Sequence, residues 1–188
     1  MPFWTTESIS TTKDPKRGFR FKIIFEGLVS GPIVWFAKKV TKPNFSLTEA
    51  KHSFLNHNFY YPARVEWQEI TMTLVDPVTP IDAVAQTNAL IQAAGYQVPK
   101  TENDLETMSK GKARSAIDPI QIIQLDANGN SIEVWKLKNP FIKSVKYGEL
   151  SYEDDNLTEI EIGLRYDWAV CVTNNGESGE QTFFDTSG

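Results

Sequence analysis

The stretch 156–170, "NLTEIEIGLRYDWAV", alternates with a period of two. Thr158, Ile160, Ile162, Leu164, Tyr166, Trp168 and Val170 fall on one parity, and Glu159, Glu161, Gly163, Arg165, Asp167 and Ala169 on the other. Alternation of this kind marks a strand with one greasy and one polar face. Read as a single strand, it far exceeds the common length of about 5 to 6 residues. So long a strand carries unpaired edges that a monomer must protect or share with a neighbour.

Working outward, similar patterns recur. "GFRFKIIFEG" places Phe19, Phe21, Ile23 and Phe25 on one face of a strand. "IVWFAKKVTKP", 33–43, predicts a second strand ending at Pro43, and "RVEWQEITMTLVD" a third. In that third strand Val65, Trp67, Thr71, Thr73 and Val75 oppose Glu66, Gln68, Ile70, Met72 and Leu74, so it is expected to be covered on both sides toward its end. The segment 44–62 between these, aromatic and polar by turns, shows no period and reads as a long loop. "TPIDAVAQTNALIQAAG" predicts one helix, with Thr79 as N-cap, Pro80 in the first turn and Gly95 as the stop. Residues 98–116 are a polar excursion with a helical turn expected at 103–109. "DANGN" predicts a hairpin turn, "KNP" a break and "SYEDDN" a further turn. The whole reads as an arm 1–16, one β domain over 17–172 and a tail 173–188.

The composition fits a folded chain of 188 residues with 40% hydrophobic residues and one cysteine, Cys171, which rules out an internal disulfide. No basic n-region followed by an apolar core opens the sequence and no apolar run reaches the roughly 18 residues of a span, so a soluble, intracellular protein with no membrane role is expected. The net charge of -5 is concentrated in residues 149–161, where six acids stand without a base. There is no basic footprint for nucleic-acid affinity.

Catalytic and metal-binding patterns are missing. His52 and His57 are five residues apart with no H-E-x-x-H, and "MSKGKA" lacks the phosphate-loop spacing. The carboxylates of "YEDDN" and Glu159 with Glu161 read as a solvated turn and a charged strand face rather than an acid–base pair. No enzyme activity, cofactor or metal is expected.

The order of these segments resembles the tail-tube proteins of contractile-tailed, T4-like bacteriophages, which are related to the type VI secretion tube protein. The resemblance covers roughly residues 17–170 and rests on "ARVEWQEITMTLVDP" before the helix, "LKNPFIKSV", and the acidic turn and alternating strand ending in "YDW". It implies a mainly β fold, two packed and mostly antiparallel sheets forming a sandwich or barrel with one flanking α-helix. It further implies six-membered rings stacked into a hollow tube within a contractile sheath, conducting DNA from capsid to host. The implied partners are further copies of the chain, the sheath protein, and baseplate and tail-terminator proteins, while DNA passes without specific binding. The implied location is the virion tail, assembled in the host cytoplasm.

On this reading Glu159, Glu161 and Asp167, with Glu66 and Glu69 as further candidates, would face the bore and repel phosphates, the alternative being that they face outside solvent or the sheath. The resemblance places contacts between rings on the segment 46–62, with Phe54, Phe59, Tyr60 and Tyr61 buried by a neighbour, and offers the arm 1–16 and the tail 171–188 as further contact segments. Packing of those aromatics into the chain's own core is the rival expectation. Two other functions compete: a baseplate tube initiator or type VI secretion tube protein, and, from another class, a monomeric β-sandwich module binding a ligand through residues 54–61.

Overall fold

The structure, a computed structural model, describes residues 15–25, 33–34, 37–77, 82–153, 155–174 and 179–186. Among these lie strands β1 (Phe21–Phe25), β2 (Ile33–Val34), β3 (Ala37–Val40), β4 (Phe45–Phe54), β5 (His57–Trp67) and β6 (Ile70–Val75). Helices α1 (Ala83–Ala93) and α2 (Lys110–Ile117) follow. Then come β7 (Ile120–Leu125), β8 (Ser131–Lys138), β9 (Phe141–Lys146), β10 (Glu159–Arg165), β11 (Trp168–Asn174) and β12 (Glu180–Phe183).

All pairings are antiparallel. One sheet has the order β12-β11-β8-β7-β1-β2, a second β3-β6-β10-β9, and among the described residues β4 pairs only with β5. The two larger sheets share one core. Ile23 and Phe25 of β1, Ile122 of β7 and Leu137 of β8 cluster with Ile70, Met72 and Leu74 of β6 and Ile160, Ile162 and Leu164 of β10. Each such side chain contributes about 1.5–3 kcal/mol by leaving water. The helices close the core through Ala83, Leu90, Ala116 and Ile117. The architecture is the mainly β, two-sheet fold expected, with a second helix added.

The opening stretch is two strands rather than one. The alternation buries Ile160, Ile162, Leu164 and Tyr166, but the chain leaves the four-stranded sheet after Arg165 and enters the six-stranded sheet at Trp168. In β11 three successive residues, Ala169, Val170 and Cys171, are buried. The core-facing parity changes at the crossing: Ala169, opposite the buried Leu137, joins the core from β11, while Trp168 and Val170, opposite Lys138 and Lys136, carry the even apolar alternation onto the sheet's other face.

Other expectations change in similar ways. The 33–43 strand divides into β2 and β3, which belong to different sheets. Of the first strand's face, Ile23 and Phe25 are buried while Phe19 stays exposed. "RVEWQEITMTLVD" breaks at Gln68–Glu69, and β6 is buried on one face only, through Ile70, Met72 and Leu74. The helix is capped by Asp82, whose carboxylate accepts from the Ala85 amide, while Thr79 and Pro80 lie outside the described residues. Gly95, at φ +99°, ends it as expected. The helical piece of the 98–116 excursion is α2, starting after the Ser109 cap rather than spanning 103–109. The tail supplies β12, and Phe184 packs on Phe45 and Trp67 with ring centroids 5.7 and 5.6 Å apart. Among the described residues no helix is long and apolar enough to cross a membrane.

Candidate functional site

The segment expected to be a loop is a β-hairpin, β4 with β5, whose residues are exposed apart from the half-buried Trp67. The cross-strand partners Phe45↔Trp67, Leu47↔Val65, Ala50↔Tyr61, His52↔Phe59 and Phe54↔His57 set its faces. The register shifts between Leu47 and Glu49, where Ala63 and Arg64 oppose Thr48. The Arg64 amide donates to the Thr48 hydroxyl at 3.0 Å, holding this bulge.

The bulge divides the hairpin. Below it, Phe45, Leu47, Val65 and Trp67 share one face, which is braced by Phe184 and by Tyr166 against Trp67. Above it, the aromatic residues Phe54, Phe59 and Tyr61 lie with both histidines on the opposite face. Tyr60 stands on the other side of the ribbon with its partner Lys51. The four aromatics expected at a ring contact are thus split three and one.

All four point to solvent, with Phe54 at 62% and Phe59 at 45% exposure, so none packs into the chain's own core. At the turn Leu55 is left-handed, φ 52°, and 89% exposed. A branched aliphatic residue in that conformation costs on the order of 1 kcal/mol. Strain and apolar exposure coincide at the tip.

The acidic candidates do not gather in one place. Glu159, Glu161 and Glu69 share the solvent face of the four-stranded sheet, and each is ion-paired, with Lys38, Lys146 and Lys143 respectively. Arg165, exposed on the same face of β10, adds a further positive charge. With three acids against four bases, this face has no acidic excess. Gly163 lets it close up, because a Cβ there would meet Ser144 Oγ at 2.3 Å and Glu69 Oε1 at 3.0 Å.

Glu66 sits on the hairpin, opposite Ser46. Asp167 occupies the crossing between sheets, accepting from Lys110 at 2.6 Å and Asn139 at 2.7 Å, while its amide donates to the Lys138 carbonyl. Partial burial alone would raise its pKa, but Lys110 and Asn139 outweigh that and hold it below the ordinary carboxylate value. Asp167 therefore acts as a bracket between α2, the β8–β9 turn and β11.

Two features escaped the sequence reading. Glu133, a buried carboxylate on β8, receives Lys16, Lys42 at 2.5 Å and the Trp135 indole at 2.6 Å. Burial pushes its pKa up, yet these donors prevail and lower it to about 2. Through Lys42 it ties the chain just before the hairpin to the six-stranded sheet. The second is the β9–β10 connection, 147–158, where Leu150 is 90% and Leu157 72% exposed among acids. Apolar residues interleaved with the acids of "ELSYEDDNL" were the available signal. The described residues hold no cluster of three metal-ligating side chains.

No protein-family model matches the chain, and no curated protein matches it by sequence. Solved structures do match its fold. A chain in the cryo-EM structure of the anti-feeding prophage baseplate, six-fold symmetrised, superposes with a TM-score of 0.63 at 12% identity, covering 85% of this chain and 97% of its own. One from the sheath/tube terminator of the extracellular contractile injection system PVC, in the extended state, gives 0.62 at 16% identity, covering 86% and 99%. One from the anti-feeding prophage cap that terminates the tube gives 0.59 at 17% identity, covering 92% and 99%. The chain therefore has the fold found in the tube, cap and baseplate assemblies of contractile injection systems.

Proposed function

We propose that this protein is a non-enzymatic, ring-forming component of a contractile tail or injection tube, six copies closing a ring and rings stacking into a hollow conduit inside a sheath. The observation that carries the reading is the β4–β5 hairpin, two long strands with aromatic side chains turned to water and, among the described residues, no strand on either outer edge. A monomer gains nothing from such a ribbon, whereas an assembly buries its aromatics and pairs its edges. The fold shared with contractile injection assemblies supports it, and the resemblance to phage tail tubes makes DNA the cargo.

The bore-lining face is the solvent side of the four-stranded sheet, with Glu159, Glu161 and Glu69. Because the three acids neutralise three of the four cations named on this face, the wall holds DNA only weakly, and it does so without a strongly negative field. Glu66 and Asp167, placed elsewhere, take no part.

Negative-stain microscopy of the purified chain tests the proposal: rings of uniform bore, or tubes, are expected. A protein that stays monomeric by size exclusion at every concentration would instead favour the ligand-binding module. The likeness to baseplate and terminator chains favours a second reading, a component that caps or starts the tube. Copy number separates the two, since a tube protein is present in many rings per particle and a tube-end protein in one or two.

A further inference from the structure

We infer that the aromatic tip of the β4–β5 hairpin docks onto the β9–β10 connection, residues 147–158, of a second copy of this chain in the next ring. The inference rests on the tube reading above and names the surface that receives the hairpin.

Position supplies the first argument. In the four-stranded sheet Val75 pairs with Glu159 and Ile70 with Leu164, while Lys146 pairs with Glu161 and Phe141 with Arg165. The 147–158 connection therefore leaves the end of the sheet marked by Val75, Lys146 and Glu159. The hairpin leaves the other end, marked by Ile70, Phe141 and Arg165, where the Thr41 amide bonds the Thr71 carbonyl and the Gln68 amide bonds the Asn44 carbonyl. Donor and acceptor stand at opposite ends of one sheet. A contact between two different surfaces of identical chains, at opposite ends, propagates head to tail without closing on itself, as stacking demands. At about 3.3 Å per residue, the ten residues of β4 reach roughly 30 Å, enough to cross from one ring into the next.

Charge supplies the second argument. Residues 50–65 carry Lys51, Arg64 and both histidines with no acid, whereas residues 147–158 carry Glu149, Glu153, Asp154 and Asp155 with no base. Shape and polarity agree. Glu149, Leu150, Ser151, Asn156 and Leu157 line an open groove against Thr158 and the Lys38–Glu159 pair. Its exposed leucines match the tip's Phe54, Leu55 and Phe59. Apolar contact supplies affinity and the opposed charges fix which surface meets which.

Two variants test this by complementation. Phe54→Asp with Phe59→Asp disables the tip, and Leu150→Asp with Leu157→Asp disables the groove; all four residues are exposed, so rings should still form. Preformed rings of either variant alone should remain single. Mixed, the intact tip of one should dock on the intact groove of the other, giving two-ring stacks that grow no further. In a second arm, Lys51→Glu should raise the protein concentration needed for stacking about tenfold, and adding Glu153→Lys in the same chain should restore it. Groove-disabled rings that stack like the wild type, or a charge swap that restores nothing, would overturn the acceptor assignment while leaving the tube reading intact. A wild-type protein that forms no rings or tubes would remove both.

Discussion

Strands β10 and β5 both carry large apolar side chains, and they meet opposite fates. On β10, Ile160, Ile162 and Leu164 are withdrawn from water completely or nearly so. On β5, Phe59, Tyr61 and Val65 stay about half exposed. The chain thus completes its core with one set of strands and leaves another set for a later partner. Stability of the subunit and competence to assemble reside in different residues, and substitutions should separate them.

The largest separation is expected in the core. Ile162→Ala should cost about 2–5 kcal/mol of subunit stability, a large share of the roughly 5–15 kcal/mol a domain has. Thermal or urea unfolding would show it. Phe54→Ala with Phe59→Ala should change the same midpoint by no more than about 0.5 kcal/mol, as exposed sites do, yet abolish stacking. Equal losses of stability in the two variants would erase the distinction.

Next is the Glu133 clamp, which belongs to the body but steadies the root of the hairpin. Glu133→Gln removes charge-assisted hydrogen bonds from Lys16 and Lys42 and should cost about 2 kcal/mol. The folded carboxyl titrates at about 2, below its ordinary 4.5. Its contribution is therefore complete above about pH 4.5 and is lost as the pH falls toward 2. Unfolding followed across that window should fall less steeply for Glu133→Gln than for the wild type, and parallel acid limbs would show that the clamp is not the cause.

What could be read in the sequence follows the same divide. Strand β1 was legible because burial of Ile23 and Phe25 imprints alternation, and the β7–β8 turn because Asp126 accepts from the Asn128 and Asn130 amides around Gly129 at φ +84°. The crossing at Tyr166–Asp167 was hidden, since Trp168 and Val170 continue the even apolar alternation although on β11 they lie on the face away from the shared core. The hairpin showed no period because a subunit core never imposed one: its register is set by cross-strand neighbours and by the bulge at Thr48. Helix α2 was obscured by its charged, glycine-containing start, "KGKARSAI", of which only Ala113, Ala116 and Ile117 are buried. The acids were legible as charges, but their lysine partners come from distant strands that local reading does not bring together.

Those pairs yield a smaller effect on stability with a distinct functional signature. Glu159→Lys with Glu161→Lys breaks two exposed ion pairs, worth no more than about 1 kcal/mol each, so rings should persist. The same change leaves Lys38 and Lys146 facing new lysines and makes the wall strongly basic. Tubes carrying it should retain DNA, and the retention should weaken steeply with added salt. DNA passing the variant as freely as the wild type would place this face away from the bore.

The smallest change sharpens the contrast most, because stability and assembly should move in opposite directions. Leu55 holds a left-handed backbone at the hairpin turn. Asparagine tolerates that conformation far better than a branched aliphatic residue. Leu55→Asn should therefore stabilise the hairpin by up to about 1 kcal/mol, visible as slower amide exchange at Phe54 and His57, while removing an exposed apolar side chain from the tip. If the strain is retained for the contact it presents, tubes of this variant should need more protein to form despite the firmer hairpin. Should stacking improve along with the hairpin, Leu55 would be a tolerated imperfection, and the tip's affinity would rest on Phe54 and Phe59 alone.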